Sequence, residues 1–253
     1  MSSKQEISLE YASLRLPGHC PLGIWVIPCP NDTHTWSGVL FVHRGYYAGG
    51  IFRFEIKFSP HYPYGGDSRS RVESRKSRTN ERDNRQDGSV PRIYFKSDCF
   101  HPLINQQDGF FDSTSRFKTW RPHQDFVFHL LHFLKSSFKR SGLEKIISSP
   151  EDESTAQNMA AFKAYRDQTQ VFANLASQSA TLSCSPSSLY KQTSSSNGNS
   201  NHSDRDSDDN NYKLIKFSPL NDQEWREVRS RMVPALSTSG NSSKQPFDQI
   251  KEE

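Results

Sequence analysis

The chain has 253 residues, of which 33% are hydrophobic and 12% aromatic, and its formal net charge is only +4. The apolar share is too low for a core running the whole length, so one domain with disordered segments is expected. No run approaches the ~20 apolar residues of a membrane span. The four cysteines, Cys20, Cys29, Cys99 and Cys184, lack the spacing of a zinc site. Nothing in the polar stretch Met1 to Glu10 reads as a signal peptide, so an intracellular chain with reduced thiols is expected.

In chain order, ISLEYASL (7–14) offers barely two helical turns before LPG at Leu16 to Gly18 breaks the pattern. LGIWVIPC and TWSGVLFVHR read as two strands. In IFRFEIKFSP, Phe52, Phe54, Ile56 and Phe58 share one face, while Arg53, Glu55 and Lys57 share the other. From Asp67 to Asp87, seven basic and five acidic residues surround a single aliphatic one, Val72. Such a segment buries too little to order itself, so 67–90 is read as a disordered basic insertion between strands. PRIYFKSD resumes the strand pattern with Ile93 and Phe95 on one face. The short turns make these four strands an antiparallel meander.

WRPHQDFVFHLLHFLKSSF leads into a helix with Val127, Leu130 or Leu131, Leu134 and Phe138 on its buried stripe. Pro150 and the acidic turn after it are helix-start signals, and Met159, Phe162, Tyr165, Phe172 and Leu175 follow at helical spacing. The Ser/Asn-rich run 183–211 reads as a disordered linker. A short extended piece and an amphipathic helix occupy 212–233, and a polar tail 234–253. The domain proper is thus 1–182, of the α+β class.

The stretch HPLINQQDGFFD (101–112) raises the question of chemistry. His101-Pro102 is followed eight residues after the histidine by Gly109, and Asp112 lies three further on. Together with LPG, the Tyr62-Pro63 pair, Trp120 before Pro122, and SPEDESTAQN, this order resembles the ubiquitin-conjugating (UBC) fold. That fold is a four-stranded antiparallel meander with an N-terminal helix and C-terminal helices. In active members a cysteine stands where Asp112 is, and an asparagine where Leu103 is. Thioester transfer needs a thiolate, and the asparagine helps hold the oxyanion. Asp112 and Leu103 can do neither, so the resemblance implies a degenerate site and no enzyme activity.

HPL, G-x-x-D and the C-terminal KFSPLNDQEWREVRSRM narrow the resemblance to the AKT-interacting protein (fused toes) family. It implies an adaptor that binds Hook-type coiled-coil proteins and a Hook-interacting protein, linking dynein to endosomal vesicles, with AKT kinase as a further partner. A cytoplasmic location, on endosomal vesicles or microtubules through these partners, goes with it. The alternative is a ubiquitin-binding cofactor that pairs with an active conjugating enzyme. No cofactor, metal, nucleic acid or direct membrane insertion is expected.

Each marked residue also has a structural reading. His101-Pro102 serves as a rigid turn even without chemistry. Asp112 reads as a residual base, a solvated loop carboxylate or a helix cap. Trp120 packs the loop on the sheet. His129 and His132 are three apart but lack a third ligand. The basic insertion, with no aromatics for base stacking, reads as a solvated loop open to phosphorylation at Ser68, Ser70, Ser74 or Ser77. Phe217, Pro219 and Trp225 are candidate partner contacts, and Trp225 either docks back on the domain or anchors a partner.

Overall fold

The computed structural model describes residues 2–64, 89–148, 156–190 and 215–232. The chain divides into two compact units, Met1–Phe217 and Ser218–Glu253.

The first unit opens with α1 (Ser3–Ser13), three turns rather than two. Its start precedes the apolar pattern because Ser2 forms a capping box with Gln5, which satisfies two end N–H groups independently of hydrophobic periodicity. Strands β1 (Ile24–Cys29), β2 (Asp32–Phe41), β3 (Ile51–Lys57), β4 (Arg92–Phe95) and β5 (Phe110–Phe111) form one antiparallel sheet in sequence order. The expected meander therefore has five strands, not four. The fifth is too short for any alternation to show, and it exists because the 101–112 loop folds back beside β4.

The inner sheet face carries Trp36, Leu40, Phe52, Phe54, Ile56, Ile93 and Phe95, all buried. Gly38 is required here: a Cβ at that position would lie 2.4 Å from the Phe54 ring. Helices α2 (Val127–Ser137), α3 (Arg140–Ile147), α4 (Met159–Asp167), α5 (Thr169–Ser183) and α6 (Pro186–Leu189) follow. Val127, Leu130, Leu131, Leu134 and Phe138 are all buried, as the expected stripe requires. The core joins helices to sheet through aromatic contacts such as Phe111–Phe133, with Phe95–Phe138 at the end of α2.

Several positions differ from the sequence reading. α3 carries only Leu143 and Ile146 as buried positions, too few to mark a separate helix. Met159 is 37% exposed and Leu175 half-buried, while Ala161, Ala176 and Ala180 occupy the interior. Small alanines let these helices approach closely, a geometry that a search for large apolar residues passes over. Glu55 lies on the outer sheet face yet is only 2% exposed, with Lys96 Nζ 3.2 Å away. α5 runs to Ser183 and α6 follows, so the first residues assigned to the linker are helical.

The expected insertion 67–90 lies outside the described residues apart from Ser89 and Val90, which are both buried. Pro150 and its acidic turn, the linker from 191, and the tail from 234 are also outside them. The second unit contains α7 (Asp222–Met232), whose first turn is acidic and last turn basic, matching the helix dipole.

Candidate functional site

The 101–112 stretch is built on a buried histidine. His101 is fully buried, its ring stacked on Phe138 at 4.8 Å. Nε2–H donates to the Ser137 carbonyl at 3.1 Å, and Nδ1 accepts from the Leu103 amide at 3.1 Å. A carbonyl can only accept and an amide N–H only donate, so the ring is the neutral Nε2–H tautomer. Burial, only partly opposed by the Ser137 bond, moves its pKa from 6.5 down to about 4. Both nitrogens are thus committed to holding the turn.

The next residue ties the turn to the helices. The Pro102 carbonyl accepts from the amides of Gln157 and Asn158 at 3.0 and 3.1 Å. Asn158 in turn caps α4 by accepting from Ala161 N at 3.0 Å. Beyond it, Asp112 N donates to the Leu103 carbonyl at 2.8 Å, and Ile104 bridges to Phe111. Leu103 and Asp112 are therefore direct neighbours across a small hairpin.

Gly109 makes that hairpin possible. Its φ is +74°, and its carbonyl accepts from Phe95 N at 2.7 Å. A Cβ there would sit 2.0 Å from the Phe95 carbonyl oxygen, so only glycine fits.

Asp112 is 4% exposed, which overturns the reading as a solvated loop carboxylate. Its Oδ1 accepts from Thr114 N at 2.8 Å and Thr114 Oγ at 2.6 Å, and Oδ2 accepts from Gln157 Nε2 at 3.1 Å. Three donors satisfy the carboxylate and stitch the hairpin to the segment before α4. This is a local turn cap combined with a long-range tie. Leu103, 6% exposed, faces the core.

Cys99, the thiol nearest in sequence, is buried, and burial pushes its pKa well up, so it stays a protonated thiol at neutral pH. Burial also raises Cys20. A cleft of about 540 Å³ beside the loop is lined by Cys99, Asn105, Asp108, Gln178 and their neighbours, but by neither Leu103 nor Asp112.

The other sequence landmarks form a second cluster. Trp120 is buried against Tyr62 and Phe117, at 5.9 and 5.6 Å between centroids. The Tyr62-Pro63 bond is cis, and Pro63 is buried. Tyr62 O–H donates to Glu10 Oε1 at 2.6 Å, and Glu10 Oε2 accepts from Val127 N, the first amide of α2, at 3.0 Å. Burial raises the Glu10 pKa, and these two bonds offset that rise only in part. Glu10 thus joins α1, the Tyr62 segment and α2, a role that no sequence pattern signalled. Gln157 was missed for the same reason: its partner is distant in sequence.

Neither member of the histidine pair is free. His132 Nε2 donates to the Gly18 carbonyl at 2.8 Å, and His129 Nδ1 accepts from Phe126 N at 3.3 Å. Among the described residues no group of three or more His, Cys, Asp or Glu could hold a metal ion. None of the described helices is long and apolar enough to cross a membrane.

Of the candidate partner contacts, Phe217 closes the first unit. It lies edge-on to Phe41 at 6.3 Å, with the Arg53 guanidinium 4.7 Å from its ring centroid. Pro219 and Trp225 belong to the second unit, where Trp225 is exposed on α7.

A chain of α+β class, with a five-stranded antiparallel sheet and a rigid histidine-proline turn beside it, is what these elements define. No family model matches it. Against known proteins it is 29% identical over 113 residues to a protein crossbronx homolog of Anopheles gambiae, 45% of this chain and 40% of that one. It is 28% identical over 126 residues to a protein AKTIP homolog of Nematostella vectensis, 50% of this chain and 33% of that one. It is also 24% identical over 222 residues to AKT-interacting protein homolog A of Xenopus laevis, 88% of this chain and 59% of that one. The chain is a homologue of the crossbronx and AKT-interacting proteins, as the sequence resemblance implied. The matches span less than two thirds of these relatives' own length.

Proposed function

We propose that this chain is a catalytically inactive UBC-like adaptor, in which the former active-site stretch has become a structural tie. The observation that carries the reading is the environment of Asp112: its carboxylate is buried and spent on Thr114 and Gln157, next to Leu103. A carboxylate at a conjugation site would give a mixed anhydride, too labile to hold a carrier protein. Leu103 offers no donor to an oxyanion, a loss worth ~10²–10³ in rate where such a donor operates. Cys99, held as a buried thiol, is no substitute nucleophile.

The adaptor role follows the relatives' name, which speaks of interaction with AKT. The proposed assembly contains Hook-type coiled-coil proteins and a Hook-interacting protein, joins dynein to endosomal vesicles, and includes AKT kinase as a further contact. The proposed location is cytoplasmic, on vesicles or microtubules through those partners. Partner contacts are assigned to the C-terminal stretch with Phe217, Pro219 and Trp225, where Trp225 is an exposed aromatic of the kind that anchors interfaces. The second reading, a ubiquitin-binding conjugation cofactor, keeps the fold and changes the partner.

Incubation with activating enzyme, ATP and ubiquitin, followed by non-reducing gels, is expected to yield no reductant-sensitive adduct. An adduct would overturn the inactive reading. Asp112→Cys alone is expected to load weakly at most and to transfer nothing to lysine. Affinity purification with mass spectrometry separates the two readings: Hook-type proteins with dynein support the adaptor, whereas ubiquitin with an active conjugating enzyme supports the cofactor.

A further inference from the structure

We infer that the outer face of β2 and β3 is a docking surface occupied by the chain's own segment Ile215–Phe217, and that Arg53 controls when this segment is available to a partner. The inference rests on the proposed adaptor reading for the partner, but not for the docking itself.

Alternation along β3 turns Phe52, Phe54 and Ile56 into the core and Arg53 outward. An outer sheet face can remain solvated, so nothing about the sheet demands a cover. Arg53 nevertheless gathers two backbone segments that are remote in sequence. Its Nη1 donates to the Ile215 carbonyl at 2.6 Å and its Nη2 to the Leu189 carbonyl at 3.2 Å. The same guanidinium lies 4.7 Å from the Phe217 centroid, and the Phe217 ring meets Phe41 at 85°. The planar fork is suited to this: it spends two donors in its plane and still offers a face to an aromatic ring.

The base of this clamp is rigid. Arg53 N donates to Ser97 Oγ at 3.0 Å, and its carbonyl accepts from Lys96 N at 2.8 Å. Phe41 is held in register opposite Ile51. The clamped segment is less enclosed than its base. Ile215 and Phe217 are half-buried, Lys216 between them is exposed, and the segment adds no strand to the sheet. Half-exposed hydrogen bonds and a cation–ring contact are individually weak in water. What favours the docked state is the tether, because a segment joined to its own surface meets it at millimolar effective concentration. A partner that offers Phe217 an apolar pocket can displace such a contact. The Phe217 ring is thus shared between two states: seated on Phe41 and Arg53, or presented together with the chain that follows it.

The test uses the full chain. In Arg53→Met, which keeps the side-chain length but loses the donors, the NMR contacts between the Phe217 and Phe41 rings are expected to be lost, while those within α2 are unchanged. Arg53→Lys keeps the charge but not the fork and should show the same loss. Ring contacts unchanged in both variants overturn the clamp. In parallel, a labelled peptide of residues 212–221 is added to the wild type, to Phe217→Ala, and to Phe217→Ala with Arg53→Met. Emptying the surface with Phe217→Ala should tighten peptide binding about 10-fold over wild type, and adding Arg53→Met should abolish the gain. Equal binding to all three would show that no docking surface exists. Neither readout involves ubiquitin or any co-purified protein, so the adaptor reading can fail while the clamp stands, and the reverse.

Discussion

The hairpin around Asp112 and the Phe217 clamp on the outer sheet face both join segments far apart in sequence, yet they do so in opposite ways. At Asp112 the carboxylate is buried and both its oxygens have donors, on half-buried Thr114 and Gln157, so removing it undoes three bonds at once. At Arg53 the contacts are half-exposed, and water can replace each one as it breaks. The first arrangement fixes a conformation, whereas the second stores one. The two regions are thus told apart by the burial of the side chain at their centre, Asp112 buried and Arg53 half-buried, with similar bond lengths in both.

Mutations can break this contrast, and the largest effect is expected at Gly109. Gly109→Ala forces a Cβ into the Phe95 carbonyl at positive φ, which should cost about 3 kcal/mol or more in urea unfolding. A loss under about 1 kcal/mol would mean that the hairpin relaxes freely.

Next comes the pH dependence of His101. Its folded pKa of about 4 lies below the ordinary 6.5, so between these values the unfolded chain binds the extra proton. Stability is then fully present above about pH 6.5 and falls as pH drops towards 4, by up to about 3 kcal/mol. Glu10, whose folded pKa is raised, acts in the opposite sense in the acid part of this window. Thermal melts from pH 7.5 to 4 should fall for the wild type and fall less for His101→Gln. Parallel slopes would remove His101 as the cause.

Asp112→Ala removes three hydrogen bonds from Thr114 and Gln157 to a buried carboxylate and should cost about 2 kcal/mol, with Asp112→Asn costing less. Arg53→Met should change global stability by under about 1 kcal/mol, although it frees residues 215–217. If Arg53→Met proved as costly as Asp112→Ala, the clamp would belong with the fixed core, and the contrast between the two regions would disappear.

Much of this protein could be read along the chain wherever a local rule applied. Alternation placed Phe52, Phe54 and Ile56 inside, and the 3.6-residue period found Val127 through Phe138, because each signal repeats within a few residues. The spacing of His101, Gly109, Asp112 and Trp120 marked the candidate site, because a loop's backbone demands are written in its own residues. The three-dimensional fold alone decided the rest. β5 is two residues long and exists only beside β4. Glu10 finds Tyr62 and Val127, Asp112 finds Gln157, and Arg53 finds Leu189 and Ile215 across long stretches of chain. A polar side chain carries no periodic mark of its partner. Its role is set by which groups lose water together when the chain closes.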